Sequence, residues 1–196
     1  DNTQHPDRAL ESQVFIVNAD GSGMKQLLGA TGKSYTSPSI SPSGKWLAVQ
    51  VGTVSFVNVP ELAVMALNGT AADLVMLPFD RNKGGLTWSK DEQHIYFTAQ
   101  SNGGAPIFRI NVKTKKSEQL TSIDEGISSF SMKADKLVFV KTAVANPFEL
   151  YTTDLNGKNE KRISSFNYDW VSKKQLSFPE KRTFKNEKGL TVEYWI

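Results

Sequence analysis

The stretch whose reading decides the fold is SISPSGKWLAV at residues 39–49, because the chain repeats its plan twice more. The counterparts are LTWSKDEQHIYF at 86–97 and SFSMKADKLVFV at 129–140. In each, a short strand ends near a serine (Ser41, Ser89, Ser131). A polar turn of four or five residues follows, then a compact apolar triplet. The triplets are Leu47-Ala48-Val49, Ile95-Tyr96-Phe97 and Leu137-Val138-Phe139. They are apolar without alternation, the mark of a strand buried on both faces. Sheets built around such strands must lie between other layers.

The surrounding sequence echoes at the same period. Val14-Phe15 recurs as Leu62-Ala63, Ile107-Phe108 and Leu150-Tyr151. Each pair is followed by a turn, at Asp20-Gly21, Asn68-Gly69, Lys113-Thr114 and Asn156-Gly157, at spacings of 48, 45 and 43 residues. The same offsets carry Leu27 onto Val75, Leu120 and Ile163. A repeat of this length made of short strands is the signature of a β-propeller blade. Asn68-Gly69 and Asn156-Gly157 suit tight hairpins between a blade's third and fourth strands, where positive φ is needed. No segment has a 3.6-residue period, so the expected class is all-β.

The expected fold is a partial β-propeller of three complete four-stranded blades plus a half blade. Strands are expected near 37–41, 46–50, 62–66 and 73–77. The next blade reads 86–89, 94–99, 106–111 and 116–121, and the last 127–131, 136–141, 148–153 and 160–164. Residues 13–28 supply only the outer two strands of a blade. Such an arc leaves bare edges and faces, so further blades are expected upstream in a parent protein. The expected organisation is a polar leader over 1–12, the partial propeller over 13–178, and a linker with a terminal β-hairpin over 179–196. That hairpin reads either as a closing element of the propeller or as the opening of a second domain. The apolar run Tyr194-Trp195-Ile196 favours the second.

Composition narrows the function classes. Formal charge is +3 with no dense Lys/Arg run, and Lys181 to Lys188 is interrupted by Asn186 and Glu187, so no nucleic-acid partner is expected. No apolar run approaches a membrane span. The start, Asp1-Asn2-Thr3-Gln4, has no signal-peptide pattern. The chain has no cysteine and only two histidines, which leaves no ligand set for zinc; no cofactor or metal is expected. His5 and His94 both read as surface residues. Gly29-Ala30-Thr31-Gly32-Lys33-Ser34 imitates a phosphate loop, but Leu27 stands where its first glycine belongs and a strand follows. Asn68-Gly69-Thr70 matches a glycosylation sequon and reads as a turn. No Gly-x-Ser-x-Gly elbow occurs.

The acids of the connections between blades are the remaining candidates. Asp80-Arg81 lies between one blade's last strand and the next blade's first, and Asp124-Glu125 lies in the equivalent connection one blade later. These connections share one face of a propeller with the loops between second and third strands, at 52–61, 100–105 and 142–147. Those loops read as longer and more varied than the other turns, and long loops on a rigid scaffold carry recognition. Asp80, Arg81, Asp124 and Glu125 are therefore the expected substrate-binding residues, with a carboxylate pairing a peptide amine.

Ser41-Pro42-Ser43-Gly44-Lys45-Trp46-Leu47-Ala48-Val49 resembles the blade motif shared by Tol-type propellers and propeller-bearing serine peptidases. Asn146-Pro147-Phe148-Glu149-Leu150-Tyr151, then Ile163 to Trp170, then Leu176-Ser177-Phe178-Pro179-Glu180 are more specific. They resemble the last blade and exit of the prolyl-oligopeptidase family, in its acylaminoacyl-peptidase and dipeptidyl-aminopeptidase subgroup. Phe184-Lys185 through Gly189, Val192 and Trp195-Ile196 resemble the hairpin that opens that family's α/β-hydrolase domain. The resemblance implies a secreted or periplasmic serine peptidase of short peptides whose propeller restricts access. Its catalytic Ser, Asp and His would lie in a hydrolase domain absent from these residues. This chain alone is then expected to be inert, with a peptide substrate and its own hydrolase domain as partners. The other class of function is a Tol-like scaffold that binds proteins or peptides.

Overall fold

The computed structural model describes residues 11–55, 57–122 and 126–196. It contains three four-stranded antiparallel sheets, each made of consecutive strands, and two hairpins. The first hairpin pairs β1 (Val14–Ile16) with β2 (Lys25–Leu28). The first sheet is β3 (Lys33–Ile40), β4 (Trp46–Thr53), β5 (Glu61–Ala66) and β6 (Val75–Leu77). The second is β7 (Lys83–Trp88), β8 (His94–Ala99), β9 (Ile107–Asn111) and β10 (Ser117–Gln119). The third is β11 (Gly126–Lys133), β12 (Lys136–Ala143), β13 (Asn146–Asp154) and β14 (Lys161–Arg162). A single turn of helix, α1 (Tyr168–Val171), precedes the hairpin of β15 (Lys181–Lys185) and β16 (Thr191–Trp195). No helix among the described residues is long and apolar enough to cross a membrane.

The chain forms two compact units, one of residues up to Ala99 with Phe108–Glu118, the other of Gln100–Ile107 with Gln119–Ile196. In the first unit, alternation along the strands of sheet β3–β6 sends side chains both ways. Leu47, Val49, Ala63 and Met65 pack on Val14 and Leu28 of the first hairpin. Ala48, Leu62, Val64 and Leu77 pack on Trp88, Ile95 and Phe97 of the next sheet. The apolar triplet of β4 is buried for that reason, with no residue of the three more than 1% exposed. Each large side chain so buried contributes roughly 1.5–3 kcal/mol. Polar links fix the stacking. Trp88 Nε1 donates to the Ser39 carbonyl at 3.0 Å, and Gln50 Nε2 donates to the Lys83 carbonyl at 2.9 Å. The Glu92 carboxylate accepts the Ser43 N–H at 2.5 Å and its hydroxyl at 3.0 Å.

The second unit holds the third sheet, whose burial differs. Leu137 and Phe139 are buried while Val138 is half-buried, so the unalternated triplet becomes an alternating strand here. The first turn of this sheet also departs from expectation. Lys133 pairs with Lys136, leaving a two-residue turn in which Ala134 has φ +54°. Ser131 therefore pairs with Val138 inside the strand, instead of closing the turn as Ser41 and Ser89 do. Likewise 142–147 is no loop. Ala143 pairs with Asn146 across Val144-Ala145, which corrects the reading of a long connection there. Residues 168–171 form the helical turn. Gly157 has φ +72° as its Asn-Gly turn requires, whereas Gly69 is not in that region. The Asn68-Gly69 turn widens instead into a 3-10 turn, Ala71–Asp73, capped by Thr70 and Asp73.

Candidate functional site

The connection from β6 to β7 is held from inside. Phe79 points into the core, meeting Phe97 edge-on at 4.8 Å and Phe108 at 5.0 Å between ring centres. Lys83, at the first position of β7, is only 6% exposed and caps the loop backbone. Its Nζ donates to the Phe79 carbonyl at 3.2 Å and the Arg81 carbonyl at 2.6 Å. Burial pulls the Lys83 ammonium below its ordinary pKa, while Glu61 and Asp80 pull it back up. Asp80 is thereby presented to solvent, with Arg81 Nε 3.6 Å from its carboxylate. Together with Glu61, Phe79 and Phe108 this pair lines an open groove of about 610 Å³. Sequence reasoning missed Glu61 and Lys83. The available signal was a lysine followed by two glycines at the head of a strand, Lys83-Gly84-Gly85.

Of the four expected residues, the structure thus brings Asp80 and Arg81 together on one groove with a second carboxylate. Asp124 and Glu125 lie outside the described residues. The groove combines apolar walls with charges of both signs, which suits binding of a zwitterionic chain end. Ser117 also lines it, and no histidine does. No cluster of three metal-ligating side chains occurs among the described residues.

A second set of buried charge sits in the second unit. Glu149, on β13, is 2% exposed. It accepts the Ser164 hydroxyl, the Phe166 N–H at 3.1 Å and the Asn167 N–H at 2.6 Å. Asn167 Nδ2 returns a bond to the Phe148 carbonyl at 2.9 Å. Burial pushes the Glu149 carboxyl up, but bonds from Ser164, Asn167 and Phe166, with Arg162 nearby, outweigh it and hold the carboxyl below its ordinary value. One carboxylate therefore fixes how the chain leaves the third sheet. Farther on, the Trp195 ring packs on Gly103 in the Ser101–Gly104 turn. His94 is half-buried against Asn111, its Nε2 3.2 Å from Asn111 Nδ2. Burial first, then the Arg109 guanidinium, lowers its pKa despite Asp91 and Glu118.

No protein-family model matches the chain. It is 24% identical over 192 residues to dipeptidyl-peptidase 5 of Porphyromonas gingivalis, covering 96% of the chain and 28% of the relative. It is 29% identical over 111 residues to the uncharacterized peptidase YuxL of Bacillus subtilis, covering 56% of the chain and 17% of the relative. The chain thus spans about a quarter or less of the curated relatives it matches. Pyrococcus horikoshii acylaminoacyl peptidase superposes with a TM-score of 0.69 at 15% identity, covering 96% of the chain and 28% of that structure. The resemblance to the prolyl-oligopeptidase family holds. The chain matches the propeller portion of such peptidases, and its fold is a partial β-propeller. TolB of Acinetobacter baumannii is also similar, with a TM-score of 0.59 at 20% identity over 90% of the chain and 41% of that structure. The two likenesses share the fold, so fold alone does not assign the activity.

Proposed function

We propose that this chain is the non-catalytic, substrate-gating propeller portion of a secreted or periplasmic serine exopeptidase or oligopeptidase acting on short peptides. The observation that carries this reading is the sequence match to a dipeptidyl-peptidase, which runs through the propeller and on into the terminal hairpin. In this reading residues 13–178 are propeller and residues 179–196 are the linker and first hairpin of an α/β-hydrolase domain. Exposed apolar side chains after β14 support it: Phe166, Trp170, Phe178, Leu190 and Ile196 are each more than 60% exposed. A covering domain would remove that surface from water. The propeller narrows the approach to the hydrolase site. Asp80 and Glu61 attract a peptide's ammonium end and Arg81 its carboxylate, with Asp124 and Glu125 acting likewise one blade on.

The test is kinetic. The full-length gene product should hydrolyse dipeptidyl or aminoacyl chromogenic substrates, and residues 1–196 alone should not. D80K in the full-length protein should raise KM several-fold with little change in kcat. An unchanged KM rejects the binding role of this groove.

The likeness to TolB favours a second reading, a Tol-like scaffold that binds proteins or peptides without a hydrolase partner. The coding sequence after Ile196 separates the two. A hydrolase-sized extension with Gly-x-Ser-x-Gly supports the peptidase, and an early stop codon supports the scaffold.

A further inference from the structure

The first unit carries two more grooves at the opposite ends of its strands from Asp80. One, of about 510 Å³, is walled by Trp46, Trp88 and Val112, with Glu92 and Lys113 at its rim. The other, of about 530 Å³, is walled by Ile16, Leu27, Leu67 and the same Trp46, with Lys25 and Lys45 at its rim. They occupy equivalent places in successive repeats. Leu67 N–H donates to the Lys45 carbonyl at 2.8 Å, and Val112 N–H donates to the Gln93 carbonyl at 2.9 Å, the matching bond one blade on. The Trp46 indole, 43% exposed, is the ridge between them.

We propose that this paired groove binds an acidic polyproline-II peptide, seating apolar side chains at positions i and i+3 on either side of Trp46. Geometry selects the conformation. Packed sheets lie about 10 Å apart. A polyproline-II helix has three residues per turn and rises about 3.1 Å per residue, so i and i+3 share a face roughly 9 Å apart. In a β-strand those two positions face opposite ways. Proline-rich segments in this conformation dock in aromatic-lined grooves, and Trp46 and Trp88 line these. Charge selects the composition. Lys25, Lys45 and Lys113 make no salt bridge among the described residues. Glu92, the acid at the rim, is held below its ordinary value by bonds from Ser43 and Ser41 with Lys45 nearby, so it stays charged, and the three lysines outnumber it. The proposal concerns the first unit, and its test uses the full-length gene product, where the sheets keep all their neighbours.

The probe is a fluorescein-labelled octapeptide, Glu-Pro-Leu-Pro-Glu-Leu-Pro-Asp, titrated by fluorescence anisotropy at low salt. Saturable binding is expected at micromolar to high-micromolar concentration. It should weaken at least ten-fold for W46A and for the K45E/K113E pair, the latter keeping the apolar walls intact. A control peptide with its leucines two residues apart, and one with lysines for its acids, should each bind at least ten-fold more weakly. Circular dichroism checks that each variant is folded. Absence of saturation up to millimolar peptide, equal binding of either control peptide, or full binding by folded K45E/K113E would each overturn the proposal.

Discussion

The indole of Trp195, on the last strand, rests directly on the backbone of Gly103, and a Cβ at that glycine would collide with its six-membered ring. Gly103 also has φ +86°, a conformation that L side chains rarely adopt. The terminal hairpin is thus seated on the Ser101–Gly104 turn through a contact only glycine permits. G103A should displace the indole and destabilise the chain, with about 1–2 kcal/mol from the backbone conformation alone. Fluorotryptophan NMR, with the Trp195 resonance assigned by W195F, should show that resonance moving while the Trp88 resonance stays.

Phe97 is fully buried and stacks with Phe108 at 6.1 Å while meeting the edge of Phe79. F97A should cost about 3–5 kcal/mol in urea unfolding, because the surrounding rings cannot close on the cavity. Phe148, 57% exposed, is the internal control: F148A should change stability by no more than about 0.5 kcal/mol.

Trp88 joins two sheets through its Nε1 bond to the Ser39 carbonyl. W88F keeps most of the ring and removes the donor, leaving a part-buried carbonyl short of a partner. The expected loss is about 1–3 kcal/mol. If unfolding were unchanged, the bond would not be holding the stack.

Acid should loosen the chain in two windows. His94 has a lowered pKa, so the unfolded state takes the proton first, and stability falls as pH drops below its ordinary 6.5. Glu149 is also lowered. Its contribution is complete above the ordinary glutamate value and is lost as pH falls through the lower folded value. H94Q should remove the first decline and E149Q the second. Hydrogen exchange in E149Q should rise at residues 164–171, which Glu149 anchors, and stay unchanged in β3–β6.

Much of this was legible beforehand because burial on both faces leaves a plain mark. Leu47-Ala48-Val49 and Ile95-Tyr96-Phe97 can be continuous only between two layers, and from them the strand order followed. The position of Asp80-Arg81 was legible for a different reason: the repeat spacing placed it in a connection. What escaped depended on register. Ser131 matched Ser41 by offset, yet the turn there is two residues shorter, and spacing alone cannot see a deletion compensated nearby. Val144-Ala145 carries no Gly or Asn to announce a tight turn. Glu149 reads as a solvated acid, since its three donors come from residues 15–18 positions later in an irregular segment. Such partners are brought in by the fold and leave no periodic trace.

The most direct test of the peptidase reading is active-site labelling of the full-length gene product with a fluorophosphonate, followed by peptide mass spectrometry. The account predicts one labelled serine, outside residues 1–196, and no labelling when these residues are expressed alone. A labelled serine within 1–196, or a folded full-length protein that takes no label, would contradict it.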